Sequence, residues 1–311
     1  MTLRIGTRGS ALALAQAHDV ARRLNARGIA TAIEIISTSG DRVTDRSFAE
    51  IGAFGIFVRE IESALLDARV DVAVHSYKDL PSTGPAELAI AAVPERVDVA
   101  DVLLAPADAL VGDDLLPLRE GARVGTSSAR RRALLQHFRP DLQVELLRGN
   151  VPTRVRAIVE GRFDAIVLAA AGLLRLQRGG DALPSLDAAG IAVRRLDPAQ
   201  FVPAPSQGAV AVQARRDDAA ANAAVASIDD VGVRRALAAE RGALARAEAG
   251  CSLPFGAWCR PVDDDTLKLT AVLADAAGTV IRAEAVGADP DALAATVWEQ
   301  LAPARATRSN Q

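Results

Sequence analysis

The amino-terminal stretch that decides the fold is Leu3-Arg4-Ile5-Gly6-Thr7-Arg8-Gly9-Ser10. Its first four residues predict a short strand, and the glycines that follow mark a turn. Ser10 is a good N-cap for the apolar run that starts at Ala11, so a helix is predicted from there toward Arg27. Strand, turn and helix in this order form the repeating unit of an α/β fold.

The same alternation continues along the chain. Strands are predicted at residues 31–37 and 71–75, and residues 56–66 have the apolar spacing of a helix. Three more strands, each followed by a helical pattern, are predicted at 124–126, 144–147 and 165–168. Alternating strands and helices predict an α/β architecture with largely parallel sheets.

The last third of the chain has a different pattern of predicted strands and helices. A strand at 209–214 is placed to return the chain to the first sheet, and an alanine-rich helix follows at 231–248. A hairpin of strands 268–273 and 279–285 and a helix at 291–301 then predict a smaller α+β domain. We therefore expect three domains: residues 1–98 with 200–216, residues 99–199, and residues 217–311.

Composition excludes several protein classes. The chain has 311 residues, of which 50% are hydrophobic and 24% are charged, which indicates a globular protein and argues against disorder or a coiled coil. The net charge of -3 argues against a general nucleic-acid binder, and no apolar run is long enough for a membrane span. With no secretory segment and only Cys251 and Cys259 as thiols, we expect a cytoplasmic location and reduced cysteines.

Basic residues are concentrated in one part of the chain. Residues 123–162 contain nine arginines against Asp141, Glu145 and Glu160. Guanidinium groups match carboxylate and phosphate oxygens in bidentate fashion, so this cluster favours a small, multiply anionic ligand. A solvated charged face is the alternative interpretation.

Two loops near the first strands carry polar groups. Residues 6–10 form a glycine turn with Arg8 before a helix, which is compatible with an anion site or with an ordinary turn, and the spacing matches no nucleotide motif. Residues 75–81 bring His75, Ser76, Lys78 and Asp79 to a strand end, where a carboxylate can act as an acid or base or stabilise positive charge. His75 has no second histidine nearby, so we expect a core histidine and no metal site.

Two later loops are also candidates. In the first, the hydroxyls of Thr126, Ser127 and Ser128 precede Arg130 and Arg131 at a predicted helix start, and Arg148 and Arg154 follow later in the chain. Hydroxyls and arginines together at a helix start indicate an anion-binding site more strongly than either feature alone. Residues 249–256 place Cys251 in a Gly/Pro loop, whereas Cys259 falls in a predicted strand as a small buried hydrophobe. No histidine neighbours Cys251 in sequence to lower its pKa.

Taken together, these loops resemble the porphobilinogen deaminase (hydroxymethylbilane synthase) family. The resemblance is carried by seven motifs in order: Arg4–Ser10 with Leu12, Ala13 and Gln16; Val74–Pro81; Gly125–Arg131; Leu147–Asn150 with Thr153 and Arg154; Ala171–Leu173 with Arg175; Gln207–Ala209; and Gly250-Cys251 with Pro254 and Gly256.

The resemblance implies a fold and a reaction. The fold would be two α/β domains like type II periplasmic binding proteins, with a smaller third domain. A monomeric transferase would join four porphobilinogen molecules head to tail, release ammonia at each step and hydrolyse the chain to hydroxymethylbilane, a step of tetrapyrrole and haem biosynthesis. A dipyrromethane cofactor, made from the substrate, would be attached by a thioether to Cys251.

The resemblance also assigns roles to residues. Asp79 would stabilise the positive charge that develops when ammonia leaves. Other residues would bind the cofactor and the substrate, largely by contacting the carboxylates that these molecules carry. They are Arg8, Ser10, Gln16, Asp41, Phe57, Ser76, Lys78, Thr126, Ser127, Ser128, Arg130, Arg131, Arg148, Gly149, Arg154, Arg175, Gln207 and Gly208. The chain departs from the family at Phe54, where a lysine is common, and at Cys259.

Two other functions remain open from the sequence. The same two-domain architecture serves noncatalytic solute-binding or effector-binding proteins, because fold does not determine function. The absence of a signal segment and the additional domain with Cys251 argue against that class. A transferase that uses a free cysteine thiolate is the other alternative, although it needs a base near Cys251.

Overall fold

A computed structural model describes residues 2–37, 56–178, 186, 189–247, 253–275 and 277–306, without the side chains of residues 56, 57 and 303–306. The chain divides into two compact units, Met1–Val97 with Gly208–Arg235 and Asp98–Gln207 with Ala236–Gln311. The division into three domains remains a prediction.

The strands of the described residues, in chain order, are β1 Leu3–Thr7, β2 Thr31–Ile35, β3 Val72–Ser76, β4 Leu88–Ala92, β5 Asp101–Pro106, β6 Arg123–Gly125, β7 Gln143–Glu145, β8 Ala165–Ala169, β9 Ile191–Arg195, β10 Val210–Arg215, β11 Phe255–Pro261, β12 Leu267–Ala274 and β13 Val280–Gly287. The α-helices in the same part of the chain are Ala11–Asn25, Ile56–Leu66, Ala129–Phe138, Val151–Val159, Ala170–Arg178, Ala219–Ala226, Val231–Arg246 and Pro290–Ala306.

The first unit contains a five-stranded sheet in the order β2-β1-β3-β10-β4. Strands β1, β2 and β3 are parallel, and β10 runs antiparallel to both β3 and β4. Its core includes Ile5, Leu24, Val72 and Val212, which come from the sheet and the first helix. The prediction that a late strand returns to the first sheet is therefore confirmed.

The second unit contains two sheets. One has five strands in the order β7-β6-β8-β5-β9, and the other is an antiparallel sheet in the order β11-β12-β13. The small sheet packs against helix Pro290–Ala306 through residues such as Leu269 and Val297. On its other side, Val272 joins the core of the five-stranded sheet. The predicted fold class, two α/β sheets with a smaller α+β part, is confirmed.

Each five-stranded sheet has one reversed strand. Four strands of each sheet run in one direction, as the largely parallel pattern predicts, while β10 or β5 runs against them. A reversed strand places its amino end where its neighbours have their carboxyl ends. Val210 therefore pairs with Ser76 at the end of β3, and Asp101 pairs with Ala169 at the end of β8. Loops before these strands consequently reach the edges that carry the candidate residues.

Candidate functional site

The candidate residues of the first unit gather at the carboxyl ends of β1 and β3. Ser10 caps the first helix by accepting a hydrogen bond from the backbone N–H of Ala13 (3.3 Å). The buried side chain of Gln16 donates to the Ser76 hydroxyl over 2.8 Å, which ties this helix to the end of β3. Arg8 is half-buried in the loop between β1 and the helix. Arg8, Ser10, Gln16 and Ser76 thus belong to neighbouring segments of one sheet edge.

Asp79 lies on a single 3-10 turn, Tyr77–Asp79, directly after β3. Backbone hydrogen bonds hold the turn: the N–H of Tyr77 donates to Ala209 O (3.1 Å), and that of Leu80 donates to Tyr77 O (3.2 Å). Leu80 is buried, whereas the Asp79 side chain is exposed and Lys78 is half-buried. The Asp79 carboxylate makes no ion pair with any side chain that the structure describes. The carboxylate is therefore accessible at the carboxyl end of β3.

His75 lies in the core behind this turn, as expected for a structural histidine. Its Nε2 lies 3.1 Å from Gln213 Oε1, and Gln213 Nε2 donates in turn to Glu62 Oε1 over 3.0 Å. Burial lowers the pKa of His75 to about 4, although the hydrogen bond with Gln213 acts in the opposite direction. His75 is therefore neutral at physiological pH and is a packing residue of the first unit.

The depressed pKa of His75 predicts acid sensitivity. The unfolded chain binds a proton at this residue below a pH of about 6.5, whereas the native state does so only near pH 4. The contribution of His75 to stability therefore falls as the pH drops from about 6.5 to 4 and changes little below that range. Across this window the wild type should lose about 3 kcal/mol more unfolding free energy than His75→Gln, measured by urea denaturation. Equal losses in the two proteins would contradict a buried neutral His75.

The second unit assembles hydroxyl and guanidinium groups at the start of helix Ala129–Phe138. Ser128 caps this helix by accepting a hydrogen bond from Arg131 N (3.4 Å), and Thr126 Oγ1 accepts one from Ser128 N (3.2 Å). Arg154 Nη2 donates to the exposed Ser127 hydroxyl over 3.3 Å. A helix amino end with these hydroxyls and an adjacent arginine has the chemistry of an anion site.

Gly149 holds Arg154 in place. It has a φ of +112°, a conformation that side chains rarely adopt, and an added Cβ would lie 2.8 Å from Thr153 Cγ2. Its carbonyl accepts a hydrogen bond of 2.7 Å from Arg154 Nε. The Arg148 side chain, next in the chain, is exposed. The loop between β7 and helix Val151–Val159 thus exposes Arg148, while Arg154, on that helix, reaches Ser127 at the start of helix Ala129–Phe138.

Arg130 and Arg131 are more deeply placed than the sequence indicates. Their side chains are buried, and both form ion pairs with Asp101, at 2.8 Å and 2.7 Å. Gln207 also donates to Asp101, over 2.9 Å. Burial raises the pKa of Asp101, but the charges of the two arginines outweigh it and hold the pKa well below its usual range. Sequence reasoning missed Asp101, whose one signal is a carboxylate at the start of the otherwise apolar β5.

The remaining candidates are less closely assembled. Arg175 is largely buried on helix Ala170–Arg178. Gly208 adopts a φ of +88° before β10 and accepts a hydrogen bond from Val97 N (3.1 Å). Asp41, Cys251 and the side chain of Phe57 lie outside the described residues. The roles of all these residues toward a ligand remain predictions.

Two protein-family models match this chain, one after the other. The family model of the porphobilinogen deaminase dipyromethane cofactor binding domain matches residues 3–223. The model of the porphobilinogen deaminase C-terminal domain matches residues 235–302. The chain belongs to the porphobilinogen deaminase family. This confirms the family that the seven sequence motifs indicate.

Individual members of the porphobilinogen deaminase family match over nearly their whole length. The enzyme of Roseiflexus sp. (strain RS-1) is 43% identical over 304 residues, which cover 96% of this chain and 95% of the relative. The enzyme of Acidothermus cellulolyticus is 43% identical and covers 93% of this chain and 84% of the relative. The enzyme of Brevibacillus brevis is 40% identical and covers 96% of this chain and 93% of the relative. Among solved structures, the periplasmic VFT2 domain of Bordetella pertussis BvgS overlaps with a TM-score of 0.41 at 15% identity, covering 73% of this chain and 86% of that domain.

Membership of this family distinguishes between the enzyme and the noncatalytic binding protein that the sequence left open. Porphobilinogen deaminase, or hydroxymethylbilane synthase, is a transferase, so the prediction of an enzyme is confirmed and a noncatalytic binding protein is not favoured. Among the described residues, no helix has the length and apolar character needed to cross a bilayer. The same residues contain no group of three or more His, Cys, Asp or Glu side chains that could hold a metal ion.

Proposed function

We propose that this chain condenses four porphobilinogen molecules head to tail, releases ammonia at each step and hydrolyses the product to hydroxymethylbilane. The observation that carries the proposal is the match to both deaminase family models, in order, across residues 3–223 and 235–302. We propose further that the enzyme works as a monomer in the cytoplasm, as the family resemblance implies.

Asp79 has the properties that the ammonia-releasing step requires. When the C–N bond of porphobilinogen breaks, the bonding electrons leave with the nitrogen, and a cationic methylene-pyrrole remains. An exposed carboxylate on a turn fixed by backbone hydrogen bonds can stabilise this cation and accept hydrogen bonds from pyrrole N–H groups. Asp79 would thus act through its charge at the reacting pyrrole.

The helix start in the second unit suits the carboxylates that every pyrrole ring carries. The exposed Ser127 hydroxyl lies beside Arg154, and the nearby Arg130 has a buried Nε with no hydrogen-bond partner among the described groups. A donor set of hydroxyls and guanidiniums with a donor still unused fits an acetate or propionate group. These residues therefore fit a dipyrromethane cofactor, which when bound supplies the pyrrole from which the product chain extends.

We propose Cys251 as the attachment point of the cofactor. The second thiol, Cys259, is buried on β11 within the core of the small sheet and helix Pro290–Ala306. A thioether requires that the sulfur reach the methylene group of the cofactor, and a core position does not permit this. By contrast, the sequence places Cys251 in a Gly/Pro loop, so it is the thiol that we assign.

Ehrlich's aldehyde reagent provides the test of the proposal on purified protein. A covalently bound dipyrromethane gives a coloured adduct that persists after denaturation and desalting, whereas a solute-binding protein or a free-thiolate transferase gives none. We expect the coloured adduct. Its absence, with an intact mass equal to that of the bare polypeptide, would contradict the cofactor and favour a free-thiolate mechanism if ammonia is still released.

Arg148→Ala should impair cofactor assembly or chain elongation. This exposed arginine follows β7, and its replacement removes a charge-assisted hydrogen-bond donor for a carboxylate, an interaction commonly worth about 1.5–3 kcal/mol. The purified variant should be largely free of cofactor or should stall with few pyrroles attached, as read by intact mass.

Arg156→Ala is the matched control for Arg148→Ala. Arg156 is also exposed, on the adjacent helix Val151–Val159, and has no assigned role. This control should load and elongate as the wild type does. Normal cofactor loading and elongation in Arg148→Ala would refute its role as a carboxylate partner.

A further inference from the structure

Asp101 forms the centre of a buried polar cluster in the second unit. Its side chain has no exposed surface, and its two carboxylate oxygens together accept four hydrogen bonds from side chains. Oδ1 accepts from Arg131 Nε (3.1 Å) and Nη2 (2.7 Å) and from Gln207 Nε2 (2.9 Å), while Oδ2 accepts from Arg130 Nη1 (2.8 Å). One carboxylate therefore orients two guanidinium groups at once.

Backbone carbonyls complete the restraint on each arginine. Arg130 Nη1 also donates to Val202 O over 2.8 Å, and Arg131 Nη1 donates to Val167 O over 3.0 Å. Because a guanidinium is planar, a carboxylate and a carbonyl together determine the position and the tilt of that plane. Neither arginine can rotate away without breaking a buried hydrogen bond.

The charges of this cluster do not balance. Among the residues that the structure describes, two guanidinium groups face a single carboxylate, and their other partners, the Val202 and Val167 carbonyls, are neutral. One positive charge is therefore left over in a buried setting, where an uncompensated charge is costly. Arg130 Nε, which lacks a hydrogen-bond partner among the described groups, provides a donor for an incoming anion.

We propose that Asp101 is a positioning residue, which aligns Arg130 and Arg131 for a carboxylate of the pyrrole chain. This inference rests on the proposed function. Gln207, which the family resemblance assigns to ligand binding, is itself fully buried and donates to Asp101 and to the carbonyls of Val99 (2.8 Å) and Ala100 (3.3 Å). Gln207 therefore acts through Asp101, by holding it in place.

Asp101→Asn tests the proposal in cofactor-loaded enzyme. The amide keeps the size of the side chain but loses the charge that aligns the two arginines, so KM for porphobilinogen should rise about tenfold. The value of kcat should change far less, because Asp79 is untouched. Asp98→Asn is the matched control. Asp98, three residues before Asp101 in the chain, is half-buried and forms an ion pair with Arg195 (2.7 Å), and its replacement should leave KM unchanged.

The change in KM distinguishes a positioning role of Asp101 from a pure effect of its charge and from a purely structural role. Without Asp101 the cluster carries two uncompensated positive charges, so a pure charge effect would lower KM. A purely structural role would leave KM unchanged in the folded variant. Either outcome overturns the proposal. If wild-type enzyme itself releases no ammonia from porphobilinogen, the proposed function fails instead.

A double-mutant cycle provides the second measurement. Arg131→Lys keeps the positive charge but cannot bind Asp101 in bidentate fashion, so its effect on KM should overlap with that of Asp101→Asn. We expect the KM of the double variant to be no higher than that of the more affected single variant. A KM raised by the product of the two single effects would contradict the coupling between Asp101 and Arg131. If Asp101→Asn does not fold, Gln207→Leu should still raise KM, by about threefold, and an unchanged KM there would overturn the proposal.

Discussion

Asp79→Asn is expected to eliminate nearly all ammonia release from porphobilinogen. The amide has the size of the carboxylate but lacks the negative charge that stabilises the cationic methylene-pyrrole. Loss of one group of this kind costs about 2.7–4 kcal/mol, so kcat should fall by at least about a hundredfold. A continuous assay of ammonia on cofactor-loaded enzyme measures the effect.

The fold and the cofactor should survive Asp79→Asn. The carboxylate is exposed, and backbone groups of Tyr77, Ala209 and Leu80 hold its turn, so the side chain contributes little to stability. Intact mass should therefore show the same cofactor as in the wild type. Glu87→Gln, at another exposed carboxylate of the same unit, should retain full activity. Substantial activity in Asp79→Asn would exclude Asp79 as the charge-stabilising group.

Cys251→Ser is expected to yield protein without cofactor and without activity. Serine preserves the size of the side chain but lacks the sulfur that forms the thioether. Denaturing intact-mass measurement should show the bare polypeptide for this variant. For the wild type it should show a polypeptide heavier by two linked pyrrole units.

Cys259→Ser is the matched control for the attachment site. Its sulfur is buried in β11, and the backbone N–H of Cys259 donates to Glu240 Oε1 over 2.6 Å, a contact that serine keeps. This variant should be somewhat less stable, because a hydroxyl replaces a buried apolar sulfur, but it should carry the full cofactor mass. Cofactor mass that is lost with Cys259 instead would reverse the assignment of the two thiols.

Local patterns predicted most of the architecture. Ser10 caps a helix that begins at Ala11, the apolar strands near Ile5 and Val74 form the first sheet, and the late hairpin belongs to the small sheet. These features depend on residues close in sequence, so N-cap chemistry and apolar periodicity are sufficient to find them. The strand before Pro94 was missed because its alanine-rich sequence, Leu88–Ala92, has weak strand propensity.

The parts that were missed depend on distant residues. Strand β5 begins at a carboxylate and ends at Pro106, so nothing local marks it as a central strand that runs against its neighbours. That reversal is what places Asp101 beside Arg130, 29 residues later in the chain. The hydrogen bond between His75 and Gln213 spans 138 residues for the same reason, because β10 is inserted beside β3. Sequence motifs identified the arginines but not the buried groups that orient them.

The stoichiometry of the reaction with porphobilinogen tests the central claim most directly. Purified protein, incubated with porphobilinogen in the absence of any other enzyme, should release four ammonia molecules for each linear four-pyrrole product, identified by mass spectrometry as hydroxymethylbilane. Porphobilinogen that binds and is recovered unchanged, with no ammonia released, would contradict the account and identify the chain as a binding protein.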